Sequence, residues 1–227
     1  MLPEVLFDGL LSSAERRIMA RLTTPSRIQS FLDGLPYSTE TDYRCPLRVL
    51  REGAAHCFDG GLFAATALRH LGHPALILNM IPNARDDEHL LALYRRDGHW
   101  GAVAKSNFVG LRFREPVYRN VRELVMSYFE QFYNVNREKT LRRYTVPLDL
   151  IVFDCLNWMT CDDGLERIAR RLDALRSYPV LTKGMVRRLS PVDYRSYQSG
   201  LAGSDRAGLY QPRRRNIAPL PPWLPKK

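Results

Sequence analysis

The chain has 227 residues, 45% of them hydrophobic, and 34 Lys and Arg against 24 Asp and Glu give a formal net charge of +10. That length allows one substantial core, or a core with a small appended unit, and no apolar run is long enough to span a bilayer. A helical membrane protein is therefore excluded. The charge admits a nucleic-acid or acidic partner, but the cations are scattered as pairs such as Arg16-Arg17, Arg95-Arg96 and Arg142-Arg143, with one dense cluster at Arg213 to Arg215. Without interleaved aromatics or a helix-turn-helix pattern they read as a solvated surface, and nucleic acid is the lesser alternative.

Taken in chain order, Ser12 to Leu22 and Pro25 to Leu35 read as short helices. The second has Thr24 as N-cap, Pro25 in its first turn and the stripe Ile28, Phe31, Leu32 and Leu35. From Phe58 to Leu71, Phe58, Leu62, Ala65, Leu68 and Leu71 recur at three- and four-residue steps, which predicts a helix with one buried face. Ala75 to Ile81 is a β-rich apolar run. Next, Asp97-Gly98 between two apolar stretches signals a hairpin, because glycine accepts the positive φ that the turn requires. If Asp97 and Gly98 alone form the loop, Arg96 faces His99 and His89 faces Ser106; a longer loop puts Asn107 opposite His89. Both registers stay open. Further on, Pro116 starts an amphipathic helix carrying Val117, Val121, Leu124, Val125, Tyr128, Phe129 and Phe132 on one face, Leu148 to Asp154 reads as a strand, and Asp162 to Leu175 as a helix. Tyr144 and Trp158 are packing residues. From Gly200 the chain turns polar and then proline-rich, at Pro212, Pro219, Pro221, Pro222 and Pro225, which predicts a poorly ordered tail able to dock a partner.

The chemistry gathers around Arg51-Glu-Gly-Ala-Ala-His-Cys57-Phe-Asp-Gly-Gly61, which places a thiol where a loop becomes a helix. There the unpaired N–H groups and the positive end of the helix dipole favour a thiolate. His89 at the head of the hairpin, with a polar neighbour from Lys105, Ser106 and Asn107, completes the order nucleophile, base and orienter. Taken alone, a helical cysteine is most often a small core hydrophobe. His56 reads as a capping or surface residue, His99 as an exposed turn residue that competes for the base role, and His70 and His73 as helix-end residues. The acidic run Asp86-Asp87-Glu88 cannot converge on one metal, because successive strand residues point to opposite faces. Cys45, Cys155 and Cys161 lack zinc-site spacing. No metal or cofactor is expected. Four cysteines and no signal-peptide pattern at Met1 to Glu4 suggest free thiols in a reducing cytoplasm.

The order and spacing of Cys57, His89 and Asn107 resembles the transglutaminase-like branch of the papain-type cysteine enzymes, over roughly Thr24 to Phe108. Thr24 to Tyr37 and Cys45 to Gly53 look like the helical lead-in of its bacterial members. The chain departs from the family in carrying Lys105-Ser106-Asn107 in place of an Asp-Pro-Thr type sequence, and Leu91 in place of an aromatic two positions after the histidine. The resemblance implies an α+β papain-like fold, with the cysteine-bearing helix packed on an antiparallel sheet and extra helices behind it. It also implies Cys57 as nucleophile, His89 as base, Asn107 or Ser106 as orienter and Tyr43 as a side-chain oxyanion donor. The expected organisation is a helical extension over 1–23, a catalytic core over 24–110, a further extension over 111–199 packed on that core, and a tail over 200–227. The expected activity is attack on a peptide or amide carbonyl of a peptide or protein substrate, by hydrolysis rather than amine transfer. The alternative is a silent fold that binds peptide or nucleic acid, and neither reading calls for a membrane.

Overall fold

The computed structural model describes residues 3–211. Pro212 onward, with the Arg213 to Arg215 cluster and the remaining prolines, lies outside the described residues. The helices are α1 (Pro3–Leu10), α2 (Ser13–Met19), α3 (Pro25–Gly34), α4 (Pro46–Glu52), α5 (Cys57–His70), α6 (Val121–Met126), α7 (Leu165–Asp173), α8 (Lys183–Arg187) and α9 (Tyr194–Gly200). The strands are β1 (Leu76–Pro82), β2 (His89–Arg96), β3 (His99–Val103), β4 (Arg114–Tyr118), β5 (Leu141–Thr145), β6 (Leu148–Asp149) and β7 (Ser177–Pro179). Local chemistry starts the helices where the sequence places them. Ser12 and Glu15 form a reciprocal capping box, and the Thr24 hydroxyl accepts the Arg27 N–H.

The protein is α+β. Its strands run β4-β3-β2-β1-β5-β7, every pair antiparallel, with β6 also on β1. Asp97 (φ 50°) and Gly98 (φ 79°) make the two-residue hairpin turn, so Arg96 faces His99 and the ladder runs back to Ala92 opposite Val103. This is the register of the two-residue loop, and the ladder ends at Val103, before Ser106 and Asn107.

Both faces of the sheet are covered. Leu90, Ala92, Tyr94, Ile77 and Val103 join one core with residues of α3, α4 and α5. Leu91, Leu93, Leu78, Met80, Ala102 and Ala104 join a second with Leu124, Val125, Tyr128, Phe129 and Phe132. Helix α5 consequently differs from the one-faced helix its periodicity predicts: it is buried all round from Phe58 to Leu68, between the helical layer and the sheet. Where α5 crosses the sheet, Gly60 has no room for a side chain, since a Cβ there would lie 2.2 Å from Lys105 Cβ. Gly60→Ala should therefore destabilise the fold by about 1–3 kcal/mol, as overpacking does, despite alanine's better helix propensity. Urea unfolding measures this, and a stabilised variant would contradict the close approach.

Two predicted elements differ. Pro116 sits in edge strand β4 and not at a helix start; α6 begins only after the Asn120 side chain accepts the Glu123 N–H, and Phe129 to Gln131 is a separate 3₁₀ turn. The Leu148 to Asp154 strand is cut to two residues, because the Asp149 carboxylate accepts the Ile151 N–H and turns the chain into a 3₁₀ segment, Leu150–Leu156. Strands β4, β5 and β7, all beyond residue 110, belong to the same sheet as the hairpin. Among the described residues no helix is long and apolar enough to cross a membrane.

Candidate active site

The start of α5 is built by side chains that satisfy its free N–H groups. His56 is the N-cap: its Nδ1 accepts from Phe58 N (3.1 Å) and Asp59 N (3.5 Å), while Asp59 returns a carboxylate oxygen to the His56 N–H. Asp59, fully buried, also accepts the Arg44 N–H at 2.8 Å and lies 3.5 Å from the Arg44 guanidinium. That guanidinium, 3% exposed, reaches Glu40 and Glu52 as well. Burial holds the His56 pKa below its ordinary value. With its Nδ1 accepting from two backbone N–H groups, the His56 ring acts as a helix cap.

Cys57 is the first residue of the helix, half-buried, and faces a cleft of about 680 Å³. Its sulfur is 3.6 Å from the Glu88 carbonyl oxygen, and the Tyr37 phenol stands beside it. Tyr37 is brought there by pairing of its segment with the loop before the helix: Ser38 N donates to Ala55 O at 3.1 Å and Ala55 N to Pro36 O at 3.4 Å. Desolvation, then the Asp87 charge, push the Cys57 thiol up to about 12, outweighing the lowering by Tyr37 and the Leu90 backbone. The thiolate expected from the helix dipole is absent here: burial and a like charge exceed what one helix end supplies.

The sign of that shift sets the labelling chemistry. Alkylation needs the thiolate, so Cys57 should react with iodoacetamide more slowly than exposed Cys155 at pH 8 and gain roughly tenfold per pH unit until the thiol ionises. Asp87→Asn, which removes the repelling charge, should raise the Cys57 rate. Mass spectrometry of the labelled peptides reads both, and rapid selective labelling at pH 6 would contradict the assignment.

His89 lies on the other side of β2 from Leu90. Its ring packs edge-on to Phe132 at 6.4 Å, and its Nε2 is 2.7 Å from the Leu111 carbonyl oxygen. A carbonyl only accepts, so Nε2 carries the proton and Nδ1 is left as the ring's basic nitrogen. Burial, followed by the weaker opposing pull of Leu111, lowers its pKa to about 4. Neither Ser106 nor Asn107 meets the ring through a hydrogen bond. Ser106 Oγ accepts from Phe108 N, and the Asn107 amide pairs twice with the Asp205 backbone, donating to its carbonyl (2.6 Å) and accepting from its N–H (2.8 Å). The cysteine and the histidine therefore occupy adjoining cavities. Cys57 lines the large cleft, His89 and Asn107 line a small one, and Tyr37, Asp87, Glu88, Gly208 and Tyr210 line both.

Tyr43 sits in the cleft wall with its ring 4.4 Å from Phe58 and 6.0 Å from His56, a packing position. Tyr37 is the phenol at the sulfur. Sequence reasoning passed over it because the short bridge that carries it there has no local pattern. His99 lies beside its turn with Nδ1 on the Asp97 carbonyl, and His70 bonds the Thr66 carbonyl and Asp8.

No family model matches the chain, and no curated protein matches it in sequence. Among solved structures, LapG of Legionella pneumophila aligns at 12% identity and TM-score 0.34, over 45% of this chain and 70% of LapG. Its EGTA-treated form aligns at 11% identity and TM-score 0.39, over 73% and 95% of the two chains. Likeness at that level is too weak to decide fold or function.

Proposed function

We propose that the protein is a transglutaminase-like thiol enzyme, in which Cys57 attacks a peptide or amide carbonyl and the acyl group passes through a thioester to water. One observation carries this reading: the sulfur sits at the first residue of a 14-residue helix, on a cleft, with a phenol beside it. As the S–C bond forms, the thiol proton goes to His89 Nδ1 and then to the amine nitrogen as the C–N bond breaks; water attacks the thioester and restores the thiol. The Cys57 N–H, free of an intrahelical partner, and the Tyr37 hydroxyl donate to the oxyanion. The Leu111 carbonyl holds the His89 tautomer, in the role the sequence alone suggests for Asn107. Cys57 and His89 meet when the wall shared by their two cavities opens. Tyr37, Cys57, His89 and Asn107 fall within the proposed core over 24–110, whose sheet is completed by β4, β5 and β7 from beyond it, and four free cysteines favour the cytoplasm.

A second reading, a peptide-holding protein without chemistry, is favoured by the protonated thiol and by the His89 ring turned to the far layer. Incubation with a basic protein, histone, and a fluorescent primary amine separates the two. Histone fragments indicate water as acceptor, and fluorescent histone indicates amine transfer. If neither forms, the binding reading stands.

A further inference from the structure

The turn after α9 makes contacts at the site that the proposed chemistry leaves unused. Asp205 to Leu209 fold as a turn, with the Asp205 carboxylate accepting the Ala207 N–H and the Gly208 N–H donating back to the Asp205 carbonyl. The turn is held on the site by the two-way pairing of Asn107 with the Asp205 main chain, the pairing a primary amide offers to any peptide unit. Gly208 lies so close to Tyr37 that a Cβ would stand 2.6 Å from Tyr37 Cδ1 and 3.1 Å from Asn107 Nδ2. Gly208 and Tyr210 also form part of the wall between the cysteine and histidine cavities.

Resting on the thiol-enzyme reading, we propose that Asn107 is the main-chain docking residue of the cleft, that the turn Asp205–Tyr210 holds the place of a polypeptide substrate, and that this substrate is cationic. The charge follows from the lining. In a chain of net charge +10, the described residues that line the cleft include Glu40, Asp87, Glu88 and Asp173 and no Lys or Arg. Arg44 neutralises Glu40, whereas among the described residues no ion pair involves Asp87, Glu88 or Asp173. Burial raises the pKa of both Asp87 and Glu88, a penalty that an incoming cation relieves. When substrate takes the turn's place, Tyr37 loses its contact with Gly208 and the wall before His89 opens.

The probe is a fluorescent peptide of the chain's own Gly203 to Arg215 sequence, titrated by anisotropy into full-length protein carrying Cys57→Ser, so that binding is read without turnover. Adding Gly208→Val, which forces the internal turn off Tyr37, should tighten peptide binding at least tenfold. Adding Asn107→Leu to that double variant should lose the gain. A peptide with its four arginines changed to glutamate should bind at least tenfold more weakly than the parent. Thermal unfolding of Gly208→Val should stay a single cooperative transition with only a small fall in midpoint, since the displaced turn lies outside any helix or strand. In otherwise unmodified protein, Gly208→Val should speed Cys57 alkylation at least fivefold. Equal affinity with and without Gly208→Val, no binding to either, or equal binding of the acidic peptide overturns the proposal. The expected binding pattern without histone turnover retires only the chemistry, whereas turnover without that pattern retires only the docking assignment.

Discussion

Cys57→Ala should lower turnover of a basic protein substrate such as histone by on the order of 10⁴-fold or more, while far-ultraviolet dichroism and unfolding stay close to wild type. The size follows from removing the only atom that forms the covalent bond: without it, oxyanion donors and binding supply the residual rate alone. The half-buried side chain is small, and its replacement leaves the His56 and Asp59 cap intact. His89→Ala should approach the same loss, because members of one proton-relay unit are not additive. His56→Ala acts differently. It removes a helix cap, costs about 1 kcal/mol, and leaves a chemical step that does not use it. Should Cys57→Ala keep more than about a tenth of the wild-type rate, the thioester pathway is gone.

Asp59→Ala has the largest expected effect on stability, a loss of about 3–5 kcal/mol, the range found when one partner of a buried charged pair is removed. It strips the Arg44 main-chain N–H of its acceptor, leaves a guanidinium 3% exposed with the Ser38 hydroxyl and the Glu40 and Glu52 carboxylates as partners but no buried carboxylate, and uncaps His56. For a chain of this length that loss corresponds to a fall in Tm of roughly 6–20 °C. Asp59→Asn keeps an oxygen for the Arg44 N–H, so its loss should be smaller, and the comparison separates hydrogen bonding from charge. Thermal and urea unfolding read both variants. A loss under about 1 kcal/mol for Asp59→Ala would mean the network is solvated and the helix start held by other contacts.

Where the chain carries its own local signal, the elements were legible. Thr24 with Pro25 announces α3, Asp97-Gly98 announces the hairpin, and the three- and four-residue steps after Phe58 announce α5. Pro116 shows the failure: an apolar stripe at helical spacing extends on both sides of Asn120, yet Asn120 caps a helix that starts behind it, and β3 captures the residues in front as an edge strand. Two loop lengths fit the pattern of the hairpin, so local sequence does not fix its register. The positive φ of Asp97 beside that of Gly98 decided it.

For the site, sequence alone determined that a thiol begins a helix and that a histidine begins a strand thirty-two residues later, because helix starts and hairpins are short-range properties of the chain. What the imidazole faces was decided by tertiary structure. With both faces of the sheet buried, β2 lacks the polar–apolar alternation that tells one side from the other, and only packing against α5 or α6 assigns His89 to the layer of Phe132. Tyr37 at the sulfur, and Asn107 on the backbone of a residue ninety-eight positions away, lie equally beyond local pattern, since contacts between distant segments follow from how the layers stack.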